Sequence, residues 1–126
     1  MTDTRETYEN LWDTIASWSR ATFGLDYERG PVGPLEHLRK ECREARTAWE
    51  AYCIFDDPDH TYRARLEMEL ADCLILLCDA ARRAGLSPGT LIASAFAKMR
   101  VNRLRTYHRP VGDEISEHDR SQEDPE

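Results

Sequence analysis

Two pairs of acidic residues, each with two positions between its members, are the residues of this sequence best suited to chemistry. The first pair is Glu41 and Glu44, and the second is Glu69 and Asp72. Residues three apart on an α-helix project from one face, so two such helices packed together bring four carboxylates close to one another. Four carboxylates cannot all stay ionised in a cleft without cations between them. Because oxygen ligands suit Mg²⁺ and Mn²⁺, the pattern predicts a divalent metal site.

The setting of the second acidic pair supports this prediction. Residues 70–81 are apolar on nearly all sides of a helix, which is typical of a core element. An ionised carboxylate beside such a run is costly unless a cation pairs with it. Asp79 lies in the run, and we expect it to pair with Arg82 or Arg83. The alternative for the two acidic pairs is that they are surface acids paired with nearby bases, namely Arg39, Lys40, Arg43 or Arg65.

A second group of residues is suited to binding phosphate. Lys98, Asn102 and Arg105 recur at helical spacing and share one face. A guanidinium grips phosphate oxygens with a planar fork, whereas a lysine acts as a point charge. The alternative is that Lys98 and Arg105 form salt bridges with acids on neighbouring helices.

Four helices must position these groups. Apolar periodicity and capping residues predict helices over about residues 4–21, from about residue 34, over 66–84, and over about 88–106. No strand pattern is present, so the sequence predicts an all-α fold. In the second helix, His37, Glu41 and Glu44 lie beside the predicted apolar stripe. That stripe consists of Leu35, Leu38, Cys42, Ala45, Trp49 and Tyr52.

Composition indicates one folded domain, residues 1–107, and an acidic tail, residues 108–126. The tail holds seven acidic and two basic residues, and it therefore carries most of the net charge of −7. We expect this tail to be disordered or extended. No basic stripe is present to neutralise a nucleic-acid backbone, so we do not expect a nucleic acid as a partner. With neither a signal run nor a membrane-spanning segment, the sequence predicts a cytoplasmic protein without a membrane partner.

The four cysteines form no metal-binding or redox motif. They lack C-x-x-C spacing, and we expect them to be buried or half-buried thiols that pack as small apolar groups. They are Cys42, Cys53, Cys73 and Cys78.

These motifs resemble those of the MazG-like all-α nucleoside triphosphate pyrophosphohydrolases. The resemblance rests on Glu41-Cys-Arg-Glu44, on Glu69-Leu-Ala-Asp72, and on Lys98, Asn102 and Arg105 downstream, and it covers roughly residues 10–107. The lead-in, Trp18 to Leu38 with its Phe-Gly and Gly-Pro-Leu-Glu-His-Leu segments, looks most like the phage-type enzymes that act on dATP and dGTP, including the MazZ group. Two departures are Lys40, where many members have glutamate, and Tyr107, where many have tryptophan.

The resemblance implies a four-helix MazG fold that hydrolyses a deoxynucleoside triphosphate, dGTP or dATP, at the α–β phosphate linkage. It implies two or three Mg²⁺ or Mn²⁺ ions held by Glu41, Glu44, Glu69 and Asp72. Glu41 or Glu44 would orient or deprotonate the water, while Lys98, Asn102 and Arg105 would contact the phosphates. Lys98 and Arg105 would also offset charge that develops during the reaction. Together with the apolar helix faces, the resemblance also implies a homodimer or homotetramer.

Trp18 and His37 are the candidates for contact with the base, because an aromatic ring stacks on any base and His37 lies one turn before Glu41. The alternatives are core packing for Trp18 and a backbone hydrogen bond for His37. Another substrate, such as dCTP or dUTP, and a non-catalytic helical interaction module remain alternative functions. A ferritin-like redox bundle is disfavoured because no glutamate is followed three residues later by histidine.

Overall fold

The computed structural model describes residues 3–110 and 112–120. Within these ranges the chain forms four α-helices: α1 (Thr4–Phe23), α2 (Val32–Ile54), α3 (Thr61–Arg83) and α4 (Pro88–Leu104). A single turn of 3₁₀-helix, Asp26–Glu28, lies between α1 and α2. The predicted all-α fold is confirmed. None of the helices in the described ranges is long and apolar enough to cross a membrane.

Helix α3 begins five residues before its apolar pattern does, because a side chain from the preceding loop caps it. The Asp57 carboxylate accepts hydrogen bonds from the backbone N–H groups of Tyr62, at 3.1 Å, and Arg63, at 3.2 Å. These N–H groups in the first turn of a helix have no partner within the helix. The cap therefore supports a polar first turn that hydrophobic periodicity alone does not predict.

Helices α2 and α3 pack together as a hairpin, and α1 packs against α3. Apart from Trp12, the core is built from small and medium-sized side chains, and its alanines allow close approach of the helix backbones. Its apolar members are Trp12, Ile15, Ala16, Ala45, Ala48, Leu76, Cys78, Ala80 and Ala81. The core thus brings the middle of α2 against the middle of α3, where the two acidic pairs lie.

The buried face of α2 is rotated from the predicted stripe. The buried residues of α2 are Pro34, Glu41, Ala45 and Ala48. The prediction of an apolar stripe facing the core is wrong for its bulkiest members, because alanines, rather than aromatic residues, occupy the tight hairpin interface. The exposed members of the predicted stripe are Leu35, Cys42, Trp49 and Tyr52.

Burial of α3 is confined to its second half, where Leu76 and residues 78–82 are buried. Leu70, Leu74 and Leu77 are 54%, 46% and 46% exposed. They lie four and three residues apart, so they share one face of the helix. The prediction that residues 70–81 are buried on all sides is wrong for this face of the single chain.

Two compact units make up the chain, Met1–Pro88 and Gly89–Glu126. In the second unit, β1 (Thr106–Tyr107) pairs antiparallel with β2 (His118–Asp119), with Thr106 opposite Asp119. Strands of two residues are too short to show alternation, so the sequence pattern did not predict them. The proposed boundary between residues 107 and 108 stays a prediction, and residues 111 and 121–126 of the predicted tail lie outside the described residues.

Candidate functional site

Three carboxylates from the two predicted acidic pairs meet between α2 and α3. Glu41 projects from α2, and Glu69 and Asp72 project from α3. One oxygen from each lies within 4.8 Å of one from each of the others. Glu41 is buried, Glu69 is half-buried and Asp72 is exposed. We call these three residues the acidic cluster.

Glu44 lies beside the acidic cluster without being one of its three members. It is half-buried one turn after Glu41, and its Oε1 lies 3.9 Å from Lys40 Nζ. Lys40 is one of the two residues that depart from the motif of the family the sequence resembles, and its contact with Glu44 is long for an ion pair. The role of Glu44 as a metal ligand stays a prediction.

The acidic cluster holds carboxyl groups close together in a partly buried setting, which disfavours the ionisation of all of them. The Glu69 carboxyl group, burial, and Glu44 raise the pKa of Glu41 from 4.5 to about 7, in that order of importance. Among the described residues, Glu41 Oε2 and Glu69 Oε2 are both buried and have no hydrogen-bond partner. Buried oxygens without partners are costly, and a hard divalent cation would satisfy them. The acidic cluster can therefore hold a metal ion.

A cavity of about 330 Å³ opens beside the acidic cluster. Glu41, Asp72, His37 and Trp18 line it together with an apolar wall. That wall consists of Leu11, Thr14, Ile15, Ile75 and Leu76. A volume of this size falls within the range of small-molecule sites.

The structure brings the two predicted base contacts into this cavity. His37 Nε2 lies 3.1 Å from Glu41 Oε1, so the partner of the imidazole is the carboxylate and not the backbone. Trp18 is 49% exposed and packs edge-on against Phe23, with ring centroids 5.3 Å apart. The alternative of core packing for Trp18 is therefore wrong, and its exposed ring faces a cavity. Contact with a base stays a prediction for both residues.

A smaller cavity of about 180 Å³ shares Trp18, His37 and Leu76 with the first. Its other walls include Phe23, Arg29, Asp79 and Arg83. The guanidinium of Arg83 lies 5.6 Å from the centre of the Phe23 ring, in a cation–π contact. The two cavities together extend from the acidic cluster to a buried charged network.

Asp79 is the centre of that network, and its expected pairing with Arg82 or Arg83 is confirmed for both. Its Oδ1 lies 2.8 Å from Arg82 Nη2, and its Oδ2 lies 3.3 Å from Arg83 Nε. The Ser19 hydroxyl donates to Asp79 Oδ2 at 3.1 Å. Asp79 is only 2% exposed, so these partners compensate a charge that is almost entirely removed from water.

Sequence reasoning missed two members of this network, Ser19 and Asp26. Asp26 binds Arg82 through Nη1 and thereby joins the 3₁₀ turn to α3. The hydrogen bond from Arg82 keeps the pKa of Asp26 below its ordinary value. One signal in the sequence could have indicated a buried polar network. Ser19 is a polar residue on the same side of α1 as the apolar residues Ile15 and Trp18.

The family of the chain is established by its match to a protein-family model. The model that describes dATP/dGTP pyrophosphohydrolases matches residues 11–125. The chain belongs to the dATP/dGTP pyrophosphohydrolase family. No curated protein and no solved structure is similar enough to the chain to count as a match.

Membership of the dATP/dGTP pyrophosphohydrolase family confirms the resemblance inferred from the motifs and makes the protein a hydrolase. The matched region contains both acidic pairs and the three downstream polar residues. It also continues through residue 125, beyond the segment in which the motifs lie. Six of the seven acidic residues after position 107, all except Glu126, thus lie within the region that the family model matches.

The predicted phosphate contacts of this pyrophosphohydrolase lie in the second unit. Lys98 is exposed on α4, whereas Asn102 and Arg105 are half-buried. Arg105 Nη1 donates to Asn102 Oδ1 at 3.5 Å, so these two side chains are neighbours, as their spacing predicts. Their contact with phosphate stays a prediction.

Proposed function

We propose that this protein hydrolyses dATP and dGTP to the monophosphate and pyrophosphate, by attack of water at the α–β phosphate linkage. The observation that carries the proposal is the acidic cluster, with its two unpartnered buried oxygens, at the edge of a cavity. The family description supports the same substrates and reaction.

The proposed cofactor is Mg²⁺ or Mn²⁺, two or three ions, held by Glu41, Glu44, Glu69 and Asp72. A triphosphate and a cluster of acids repel each other, so cations between them are a physical requirement for binding. Bound ions of this kind supply an activated water and neutralise charge on the phosphates.

Activation of the water and binding of the phosphates are assigned to different side chains of the protein. Glu41 or Glu44 orients the attacking water or accepts its proton. Lys98 and Arg105 hold the phosphates by charge, and Asn102 contacts them by hydrogen bonds.

Trp18 and His37 bind the base in this proposal. The Trp18 ring offers a flat surface for stacking, and the cavity wall beside it is apolar. His37 lies between the acidic cluster and the smaller cavity, since it contacts Glu41 and lines both cavities. This position supports the proposed contact of His37 with the nucleoside.

The proposed assembly is a homodimer or homotetramer. Leu70, Leu74 and Leu77 present a half-exposed apolar face on α3, and none of the residues of α4, all within the described ranges, is buried. Burial of such faces against a second copy removes apolar surface from water. Light scattering tests this, and a monomer at micromolar concentration would contradict it.

The deciding experiment is a panel of nucleoside triphosphates incubated with the purified protein and Mg²⁺ or Mn²⁺, followed by separation of the products. The proposal expects dAMP or dGMP together with pyrophosphate. Nucleoside diphosphate and orthophosphate as the main products would contradict cleavage at the α–β linkage. Preference for dCTP or dUTP would overturn the assigned substrates, and the absence of turnover with every nucleotide would favour a non-catalytic module.

A further inference from the structure

Two thiols from different helices lie close together beside the acidic cluster. Cys42 Sγ on α2 is 3.9 Å from Cys73 Sγ on α3, although the residues are 31 positions apart in the sequence. Cys42 is exposed and Cys73 is half-buried. The expectation that the cysteines are buried or half-buried is therefore wrong for Cys42, and also for Cys53, which is exposed as well.

Each of these two cysteines directly follows a member of the acidic cluster. Cys42 follows Glu41, and Cys73 follows Asp72. Consecutive residues on a helix point in different directions, so the sulfurs lie beside the cluster and not within it. The two sulfurs nevertheless belong to the same helix turns as Glu41 and Asp72. A movement of these turns that brings the sulfurs together would therefore also move the two carboxylates.

The sulfur atoms are close enough to be linked by modest rearrangement. A disulfide has an S–S distance of about 2.05 Å, so the sulfurs must approach by roughly 2 Å through side-chain rotation and a small shift of the helices. The exposed Cys42 thiol is the one that an oxidant reaches first. Cys73 is half-buried, so it is the second thiol to react.

We propose that Cys42 and Cys73 are a site of reversible oxidation, at which an intramolecular disulfide joins α2 to α3 and weakens metal binding by the acidic cluster. The oxidant is a small disulfide, for which oxidised glutathione is the probe. The Cys42 thiolate attacks one glutathione sulfur, forms a mixed disulfide and releases one glutathione thiol. The Cys73 thiolate then attacks the Cys42 sulfur and releases the second. Two protein thiols and one oxidised glutathione thus give one protein disulfide and two reduced glutathiones.

The consequence for the metal follows from geometry. Metal ligands must keep their distances to within about 0.2 Å. The part of the sulfur approach that side-chain rotation does not supply must come from movement of the helix turns that carry Glu41 and Asp72. Changes to groups that support ligands commonly lower metal affinity at least about tenfold. This part of the inference rests on the proposed metal site, whereas the disulfide itself does not.

The first experiment identifies the disulfide. The full-length protein is incubated with oxidised glutathione, free thiols are blocked by alkylation, and the intact mass and peptides are analysed. The expected product lacks two hydrogen atoms, carries no glutathione and contains a peptide linked through Cys42 and Cys73. Products that carry only glutathione, links between molecules, or links through other cysteines would overturn the proposal.

Single variants supply the controls. Cys42→Ser and Cys73→Ser should each abolish the intramolecular disulfide, whereas Cys53→Ser and Cys78→Ser should leave it intact. The exposed position of Cys42 makes its replacement by serine compatible with folding, which the melting temperature of the reduced variant verifies. If Cys42→Ser did not fold, Cys73→Ser and the linked peptide of the unmodified sequence would decide the question.

The second experiment measures the effect on metal binding without measuring activity. Thermal melting is followed during titration with Mn²⁺ for the reduced and the oxidised protein. The oxidised protein should need about tenfold more Mn²⁺ for the same rise in melting temperature, and dithiothreitol should restore the reduced behaviour. Equal titrations would overturn the coupling. A reduced protein that Mn²⁺ does not stabilise would overturn the metal site and the coupling with it, while the mass analysis would still decide the disulfide.

Discussion

Glu41 and Glu69 face each other from adjacent helices, and each keeps one buried carboxylate oxygen without a hydrogen-bond partner among the described residues. This relationship makes the fold of the metal-free protein less stable than its packing alone would allow. The same two oxygens are the preformed donors that a cation would use, so stability, protonation and metal binding are linked at this point.

Replacement of a cluster acid should separate metal binding from folding. We expect Glu69→Gln and Asp72→Asn to lower turnover at least about 100-fold and to remove stabilisation by Mn²⁺, because each loses a charged oxygen ligand. Steady-state kinetics and thermal melting measure the two effects. The matched control is Glu67→Gln, an exposed residue on the same helix, which should change neither. Full activity in either cluster variant would contradict the assignment.

Protonation of Glu41 should give the metal-free protein an unusual dependence on pH. The folded chain keeps this proton up to a pKa of about 7, whereas the unfolded chain loses it near 4.5. The folded state thus binds more protons in this window, and the contribution of Glu41 to stability falls as the pH rises from about 4.5 to about 7. Urea unfolding in the presence of a chelator measures this slope.

The Glu41→Gln variant should remove that slope and be more stable than the unmodified protein at pH 8. The expected increase is roughly 1–3 kcal/mol, since one pKa unit corresponds to about 1.4 kcal/mol and solvent screens part of it. Glu36→Gln, an exposed position on the same helix, is the control and should keep the slope. An unchanged slope in Glu41→Gln would show that other groups cause the dependence.

The same proton should compete with the metal. Because Glu41 must be ionised to act as a ligand, we expect Mn²⁺ affinity to increase with pH up to about 7, by at most about tenfold per pH unit, and then to level off. Calorimetric titration in two buffers with different ionisation enthalpies measures the protons released. Binding at pH 6 without proton release would argue against Glu41 as a ligand.

The Asp79 network should be a major contributor to stability. We expect Asp79→Ala to destabilise the protein by about 3–5 kcal/mol. Arg83, whose side chain is 6% exposed, would keep a buried charge without a carboxylate partner among the described residues, and the equally buried Arg82 would keep only Asp26. Denaturant unfolding measures the loss. Asp13→Ala, at an exposed position of α1, is the control and should cost far less. A loss below about 1 kcal/mol would contradict this role for Asp79.

Trp18 should affect substrate binding more than folding. We expect Trp18→Ala to raise KM about tenfold or more, since stacking of a base on an aromatic ring contributes about 1–3 kcal/mol. Trp49 is 42% exposed, stacks on Tyr52 and lines neither cavity, so Trp49→Ala is the matched control. Equal KM values for the two variants would remove Trp18 from the base site.

The helices and the acidic cluster were predictable from the sequence because each rests on local spacing. Acid pairs three residues apart placed Glu41, Glu69 and Asp72 on helix faces, and the apolar run of α3 indicated that some of these acids would be enclosed. The rotation of α2 was not predictable in this way. Its bulky residues form a regular stripe, but the close hairpin contact selects Ala45 and Ala48, and this preference depends on the partner helix.

Contacts between distant segments were also beyond the sequence pattern. The capping of α3 by Asp57 and the binding of Asp26 to Arg82 require knowledge of how the chain reverses. The approach of Cys42 to Cys73 depends on the register of the hairpin, which no motif encodes.

The pairing of β1 with β2 bears on how the C-terminal region can be shortened. The pairing joins residues 106–107 to residues 118–119, and the entropic cost of bringing two such segments together changes only slowly with the number of residues between them. Removal of His118 and Asp119, in contrast, deletes the pairing and exposes the backbone of Thr106 and Tyr107 just after α4. A chain that ends at residue 120 therefore keeps the pairing of β1 with β2, whereas a chain that ends at residue 107 loses it. Both lack the final acidic residues.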